Sequence, residues 1–289
     1  MADFVIFTDS GCDISEAVLA EWGVRYRGLT FMFEDDPGRE YGNYEMAATE
    51  FYDNMRSGRS PKTSAVNEQS FEEAFREILA GGSDILYIGF STGLSTTANS
   101  ADMAAKELQA EFPGRKIITV DTRAASAGFG LVLRLTVEKK EAGASIEETA
   151  AYAEEIKYKV NHWFTVDDLR YLKKGGRIGA AVAAVGTKLG IKPILNMDDE
   201  GHLIFKYMVR GRKAALKSLF DEFCKRAEDP QGGKFFVSHG DCMEDVLRVQ
   251  EMTQEKYGRG FDLITDVGPV IGSHTGPGVL AIFFLAEKR

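Results

Sequence analysis

Ile85-Leu-Tyr-Ile-Gly-Phe90-Ser91-Thr-Gly-Leu-Ser95-Thr-Thr97 decides the architecture. The segment from Ile85 to Phe90 is the short apolar run expected of a strand buried on both faces. Ser91 to Ser95 is a hydroxyl-rich turn with one glycine. From Thr96 the pattern is helical, with Ala98, Ala101, Ala105 and Leu108 three to four residues apart and Asp102 and Lys106 between them. A strand feeding a helix through such a turn aims free N–H groups past the strand end. Those groups and the helix dipole favour an anion there. The plainer alternative is that Ser95 simply caps its helix.

The same grammar recurs on either side. Phe4 to Phe7 reads as a strand ending at Thr8-Asp9-Ser10, followed by a helix from Ser15 to Trp22. Val24 to Phe33 reads as a second strand, Met46 to Arg56 as a helix, and residues 58–65 as a polar loop. Asn67 or Ser70 then opens a helix over Phe71 to Ala80. Lys116 to Val120 is a further strand ending at Asp121, with helices at Ala125 to Ala142 and Ser145 to Lys159. Strands alternating with helices predict a parallel βαβ-type sheet, whose ligands bind outside the carboxyl ends of the strands. Thr8-Asp9-Ser10, the 91–95 turn and Asp121 should share that edge, and Thr63 could reach it from its loop.

Near Asn161 the character changes. Trp163 to Val166 reads as a short strand, and Leu169 to Lys174 as a helix halted by Gly175-Gly176. Ala180 to Leu189 reads as a small-residue helix. Ile191 to Met197 and His202 to Val209 flank the hairpin signature Asp198-Asp199-Glu200-Gly201. Helices are expected at Lys213 to Arg226 and Met243 to Tyr257, with strands at Phe235 to Ser238, Phe261 to Val270 and Gly278 to Ala286. The last two strands would be joined by a loop, Ile271-Gly-Ser-His274-Thr-Gly-Pro-Gly278. The expectation is an α/β domain over residues 1–160 followed by an α+β domain over 161–289.

Composition narrows the function. A net charge of −9 lacks the basic face that a broad nucleic-acid footprint needs, and it disfavours adsorption to anionic lipid. Cys12, Cys224 and Cys242 are too scattered for a zinc site or a disulfide framework. The first residues carry an acid where a signal peptide needs bases, and the apolar run Val279 to Ala286 is too short to span a bilayer. A soluble cytoplasmic protein without a membrane anchor is the expectation.

Several residues invite a chemical reading. Thr63 and Ser95 are candidate hydroxyl donors to an anion, or ordinary loop and cap residues. Glycines on both sides of Arg177 would let a ligand or partner approach the backbone; alternatively they end a helix before a solvated arginine. Arg210-Gly-Arg212-Lys213 is either wet surface or a docking patch for an acidic or phosphorylated partner. His274, among glycines, could hydrogen-bond or protonate a ligand oxygen, whereas His239 reads as structural. No GxxxxGK[ST], GxGxxG after the first strand, HExxH or GxSxG is present. Binding of a small anion is therefore favoured over catalysis. The rival is a Mg²⁺-dependent enzyme of a small phosphorylated metabolite, built on Asp9, Ser10, Asp121 and Arg177. A purely structural interaction protein would draw only on the 210–213 cluster.

In sequence order, Thr8-Asp9-Ser10, Pro61-Lys62-Thr63-Ser64, Ser91 to Thr97, Leu172-Lys-Lys-Gly-Gly-Arg177-Ile, Val209-Arg210 and Ile271 to Gly278 run nearly end to end. With these motifs the chain resembles the DegV family, the fatty-acid-binding subunits of the bacterial fatty acid kinase system. The resemblance implies a tunnel between two domains that holds a long-chain fatty acid. Its carboxylate would be held at Thr63 and Ser95, with Ser64, Thr96, Thr97 and His274 in the ligand-binding set. It further implies a separate ATP-dependent kinase subunit that converts the carboxylate to an acyl phosphate, and no cofactor or metal of the chain's own. Arg177 and Arg210, with His274, would serve the phosphate-transfer end or kinase docking. The family usually has Ser-Gly-Thr where this chain has Ser95-Thr96-Thr97, so Thr96 should shift the head group or add a third hydroxyl.

Overall fold

The computed structural model describes residues 4–179 and 190–289, so the helix expected over Ala180 to Leu189 lies outside the described residues. The first half is built on a parallel sheet. Its strands are β1 (Phe4–Asp9), β2 (Arg25–Arg27), β6 (Asp84–Gly89) and β7 (Ile117–Asp121), in the order β2-β1-β6-β7. Every residue of β6 is buried, as a doubly covered central strand requires. The covering helices include α3 (Glu68–Ala80), α4 (Thr97–Glu111), α5 (Ser126–Glu141) and α6 (Ile146–Ile156).

The expected strand Val24 to Phe33 is two strands in two sheets. The chain leaves β2 at Gly28, and Leu29 N donates to Ser10 Oγ at 2.9 Å instead of joining a ladder. β3 (Thr30–Phe33) then enters a small antiparallel sheet with β4 (Tyr41–Gly42) and β5 (Pro61–Ser64), ordered β4-β3-β5. β5 corrects the polar loop expected at 58–65. It is an edge strand of a half-solvated sheet, and such strands carry the polar residues that read as loop. The buried face of this sheet holds Phe31, Phe33 and Tyr41, packed on Phe51 and Tyr52 of α2 (Ala48–Arg56).

The second half is a six-stranded mixed sheet. It comprises β8 (Val160–Thr165), β9 (Ile191–Met197), β10 (Leu203–Arg210), β11 (Phe235–His239), β12 (Leu263–Asp266) and β13 (Leu280–Leu285). Their order is β10-β9-β8-β13-β11-β12, antiparallel except for β11 with β12. The hairpin expected around 198–201 joins β9 to β10. One face packs on α8 (Arg212–Arg226) and α9 (Met243–Tyr257) through residues such as Phe223, Phe235, Val249 and Phe284. The other face packs on α5, which is buried almost all round from Ser126 to Val137 and so serves both sheets. Gly128 allows that approach: a Cβ there would lie 2.3 Å from His162 Nε2 and 2.6 Å from Phe283 Cδ1.

A second correction concerns the expected run Phe261 to Val270 and the loop after it. The strand ends at Asp266. Gly268 leads into α10 (Pro269–Thr275), with proline at the first position, where its missing N–H costs nothing. Gly276, at φ 75°, ends the helix. His274 therefore sits in the last turn of a helix that packs among α2, β3, β5 and α7 (Leu169–Lys174). No helix among the described residues is long and apolar enough to cross a membrane.

Candidate functional site

The turn after β6 is braced on three sides. Below it, buried Asp9 accepts hydrogen bonds from Tyr87 Oη at 2.6 Å, Phe90 N at 3.0 Å and Gly11 N at 2.9 Å. Burial nevertheless pushes the Asp9 carboxyl up to about 6. Beside it, Thr92 Oγ1 donates to Asp121 at 2.5 Å. From the other half of the molecule, Gly201 O at the hairpin tip accepts from Ser91 Oγ at 2.9 Å, and Ser91 Oγ accepts from Gly93 N at 3.1 Å. The two backbones come so close that a Cβ on Gly93 would lie 2.7 Å from Gly201 O.

Thr8-Asp9-Ser10, the 91–95 turn and Asp121 thus share one sheet edge, as the strand order demands. Ser95 Oγ accepts from Thr97 N at 3.2 Å and lies 3.0 Å from Thr97 Oγ1, so it caps α4. Thr97 is fully buried, and its hydroxyl accepts from Val66 N at 3.4 Å. Thr96 is exposed with φ −85° and ψ 0°, ordinary right-handed backbone that needs no glycine.

Thr63 on β5 meets this turn across a cavity. Its Oγ1 lies 2.9 Å from His274 Nε2. Burial, with the positive Arg177 nearby, pushes the His274 imidazole down to about 4, so it is neutral at physiological pH. Its Nδ1 is buried without a hydrogen-bond partner among the described residues, close against Gly175. Arg177 donates through Nε to Leu94 O at 3.2 Å and through Nη1 to Gly175 O at 2.5 Å. It is half-buried, and no acidic side chain among the described residues pairs with it. A cation so placed, on carbonyl oxygens alone, retains charge for an anion.

The cavity holds about 400 Å³, within the range of small-molecule sites. Thr63, Ser64, Ser95, Thr96, Arg177 and His274 line it together with Leu29, Phe90, Phe164, Val270, Ala281 and Phe283. The lining comes from the turns past the carboxyl end of the parallel sheet, from β5 and from strands of the six-stranded sheet, so the cavity lies between the two halves of the chain. Thr97 sits behind its wall, and Arg210 is exposed at the end of β10 and takes no part in the lining. Arg212, from the same basic cluster, is spent on Asp245 and Asp167. Most of the phenylalanines serve ordinary packing; Phe90, Phe164 and Phe283 reach the cavity. His239 is buried and accepts from Cys242 N at 3.4 Å.

Three polar lining residues escape a reading of the sequence: Ser126, His162 and Ser238. Each lies at a helix start or within a strand without any motif to mark it. The acids of the Mg²⁺ reading do not converge on a common point. Asp9 is enclosed by three donors, and Asp121 is occupied by Thr92 and by Arg123 at 2.9 Å.

The family model described as "Uncharacterised protein, DegV family" matches residues 3–287. A DegV domain-containing protein of Clostridium perfringens is 42% identical over 289 residues, covering 100% of this chain and 99% of the relative. The chain belongs to the DegV family. Among solved DegV structures, one from Thermus thermophilus, described for its fatty acid binding, superposes with a TM-score of 0.87 at 31% identity. It covers 99% of this chain and 100% of the other. A DegV lipid binding protein from Thermotoga maritima gives 0.83 at 28% identity, with 99% of each chain covered. This DegV chain thus shares its architecture with solved DegV structures.

Proposed function

We propose that this chain binds a long-chain fatty acid and presents its carboxylate to a separate ATP-dependent kinase subunit, which converts it to an acyl phosphate. One observation carries the reading: apolar walls between the two halves lead to two hydroxyls, a neutral histidine and an arginine with no acidic partner among the described residues. The fatty-acid-binding relative at 31% identity supports it. Residues 1–160 supply most of the carboxylate-binding turns, and residues 161–289 cover much of the acyl chain.

The energetics divide the labour. A buried methylene contributes about 0.8 kcal/mol, so roughly 15 of them contribute on the order of 12 kcal/mol before the costs of binding. A hydrogen bond to a carboxylate adds only about 1.5–3 kcal/mol. The chain supplies affinity, and the head-group contacts supply register. In this reading Thr63 and Ser95 hold the carboxylate, with Ser64 and Thr96 beside them and Thr97 positioning Ser95 from behind the wall. Neutral His274 orients the Thr63 hydroxyl without adding charge. Arg177 balances the charge gained as the carboxylate takes up a phosphoryl group, and exposed Arg210 belongs to the kinase-docking surface. The chain has no phosphate-binding loop of its own and acts as a binding subunit, not an enzyme.

Lipid extraction of the purified protein followed by mass spectrometry tests the reading. A stoichiometric long-chain fatty acid is expected. A protein that carries none and takes up none when it is added overturns the proposal.

A further inference from the structure

The cavity wall carries a second polar cluster, which a simple hydrocarbon tail does not need. Thr63, Ser64 and Ser95 are partly exposed and Thr96 is open to solvent, so they mark the mouth. Ser126 and Ser238 also line the cavity, but they are 6% and 0% exposed. Ser126 begins α5, the helix packed between the two sheets, and Ser238 lies within β11. Their hydroxyls are 2.9 Å apart, and Ser126 Oγ lies 2.6 Å from Asp13 Oδ2. Ser126 and Asp13 both adopt a left-handed backbone with φ 53°, a conformation that costs energy for a serine and gathers where structure serves binding.

Hydrogen counting shows what the chain of groups can accept. Ser126 has one hydroxyl hydrogen. When Asp13 is ionised, Ser126 donates to it and Ser238 donates to Ser126, leaving lone pairs on Ser238 Oγ. When Asp13 is protonated, it donates to Ser126, which donates to Ser238, leaving the Ser238 hydrogen free. No other hydrogen bond of Ser238 Oγ is present among the described residues. A partner that both donates and accepts satisfies either state, and a hydroxyl does both. The other buried polar residues of the lining are spent: His162 Nδ1 lies 3.1 Å from Val160 O and its Nε2 accepts from Ala125 N at 3.4 Å, and Thr275 Oγ1 donates to Ile271 O at 3.2 Å.

The geometry points to a subsite for a hydroxyl group borne on the acyl chain, so that the substrate class includes long-chain hydroxy fatty acids, with Ser238 as the specificity-determining contact. The inference rests on the fatty-acid reading above. An unsubstituted chain leaves Ser238 Oγ with its one hydrogen bond to Ser126 and is tolerated. A hydroxyl placed elsewhere along the apolar walls loses its water partners without replacement.

The test is calorimetric titration of the delipidated full chain with octadecanoic acid and with its monohydroxy isomers, the hydroxyl stepped from mid-chain to the terminal carbon. One isomer should bind within about threefold of octadecanoic acid, while the others fall by about tenfold or more. In Ser238→Ala the favoured isomer should weaken about tenfold more than octadecanoic acid does. Equal weakening of every isomer in the wild-type chain, a comparison that needs no variant to fold, overturns the inference alone. So does a Ser238→Ala variant that treats the favoured isomer and octadecanoic acid alike. Failure of octadecanoic acid and all isomers to bind strikes the fatty-acid reading as well.

Discussion

Two supports meet at the mouth of the cavity, and they are held by different forces. The turn over Ser91 to Thr96 hangs on buried polar contacts: Asp9 beneath it, Asp121 beside it and the hairpin tip at Gly201 behind it. Thr63 and His274 instead ride on β5 and α10, which rest on the aromatic cluster of Phe31, Phe33, Phe51 and Tyr52. The helix start of this second support adds buried polar contacts. Asp13 Oδ1 accepts from Gly268 N and Asn43 Oδ1 from Val270 N, each at 3.0 Å. Polar bracing fixes direction with little apolar area, whereas aromatic packing supplies stability and carries its polar groups along.

The largest effect expected from that contrast follows Phe31→Ala. Phe31 is fully buried, stacks on Tyr41 at 5.2 Å and meets Phe51 edge-on at the same distance. Its removal should cost ~3–5 kcal/mol in urea unfolding. The β6 turn does not use this cluster, so Ser91, Thr92 and Ser95 amide resonances should shift less than those of Thr63 and His274. Equal shifts at both supports would break the comparison.

Asp13→Asn sharpens it through pH. Burial lifts the Asp13 carboxyl from its ordinary 3.8 to about 7. Between those values the folded chain binds a proton that the unfolded chain has released, so Asp13 lowers stability as pH rises and its effect levels off above about 7. At about 1.4 kcal/mol per pH unit the full contribution is on the order of 4 kcal/mol. Asparagine tolerates the left-handed backbone and keeps an acceptor for Gly268 N. The variant should therefore gain stability relative to the wild type as pH is raised through this window. Denaturation midpoints of both proteins at pH 4, 5.5 and 7.5 would check it, and parallel curves would refute it. Asp9, lifted to about 6, is common to both proteins and cancels in the difference.

The same contrast explains what was legible in the sequence. The parallel sheet and the edge shared by Asp9, Ser91 and Asp121 follow from apolar runs and the turns that end them, which are local signals. Thr63 reads as a loop residue near the site, because an edge strand with one polar face lacks the alternation that marks strands. His274 stands out among its glycines, yet the helix beneath it reads as loop because Gly272 and Gly276 mask the Gly268-Pro269 start. Ser126, His162 and Ser238 gave no signal, since their place in the cavity comes from α5 packing across both sheets. Contacts made by tertiary packing leave no spacing to read.

For the proposed ligand, Thr63→Ala and Ser95→Ala bring both supports to bear on one carboxylate. Each change should weaken fatty-acid binding by about 1.5–3 kcal/mol, and the double variant by more than either, measured by displacement of a fluorescent fatty acid. Thr63→Ala also strips His274 Nε2 of its hydroxyl partner, so it should act as the stronger of the two. Equal affinity in the wild type and the double variant would remove these hydroxyls from the site.

Thr96→Gly carries the smallest expected effect. Were glycine needed for backbone reasons, Thr96 would sit at positive φ; its φ of −85° and ψ of 0° show a backbone open to any residue. Its side chain makes no capping hydrogen bond to α4, so glycine should change stability by only a few tenths of a kcal/mol. What glycine does change is the cavity rim, where Thr96 stands exposed beside Ser95. An unchanged unfolding midpoint with a measurable change in fatty-acid affinity would identify Thr96 as a third head-group hydroxyl. A fall of more than 1 kcal/mol in stability, at constant affinity, would instead make it part of the polar bracing that holds the turn.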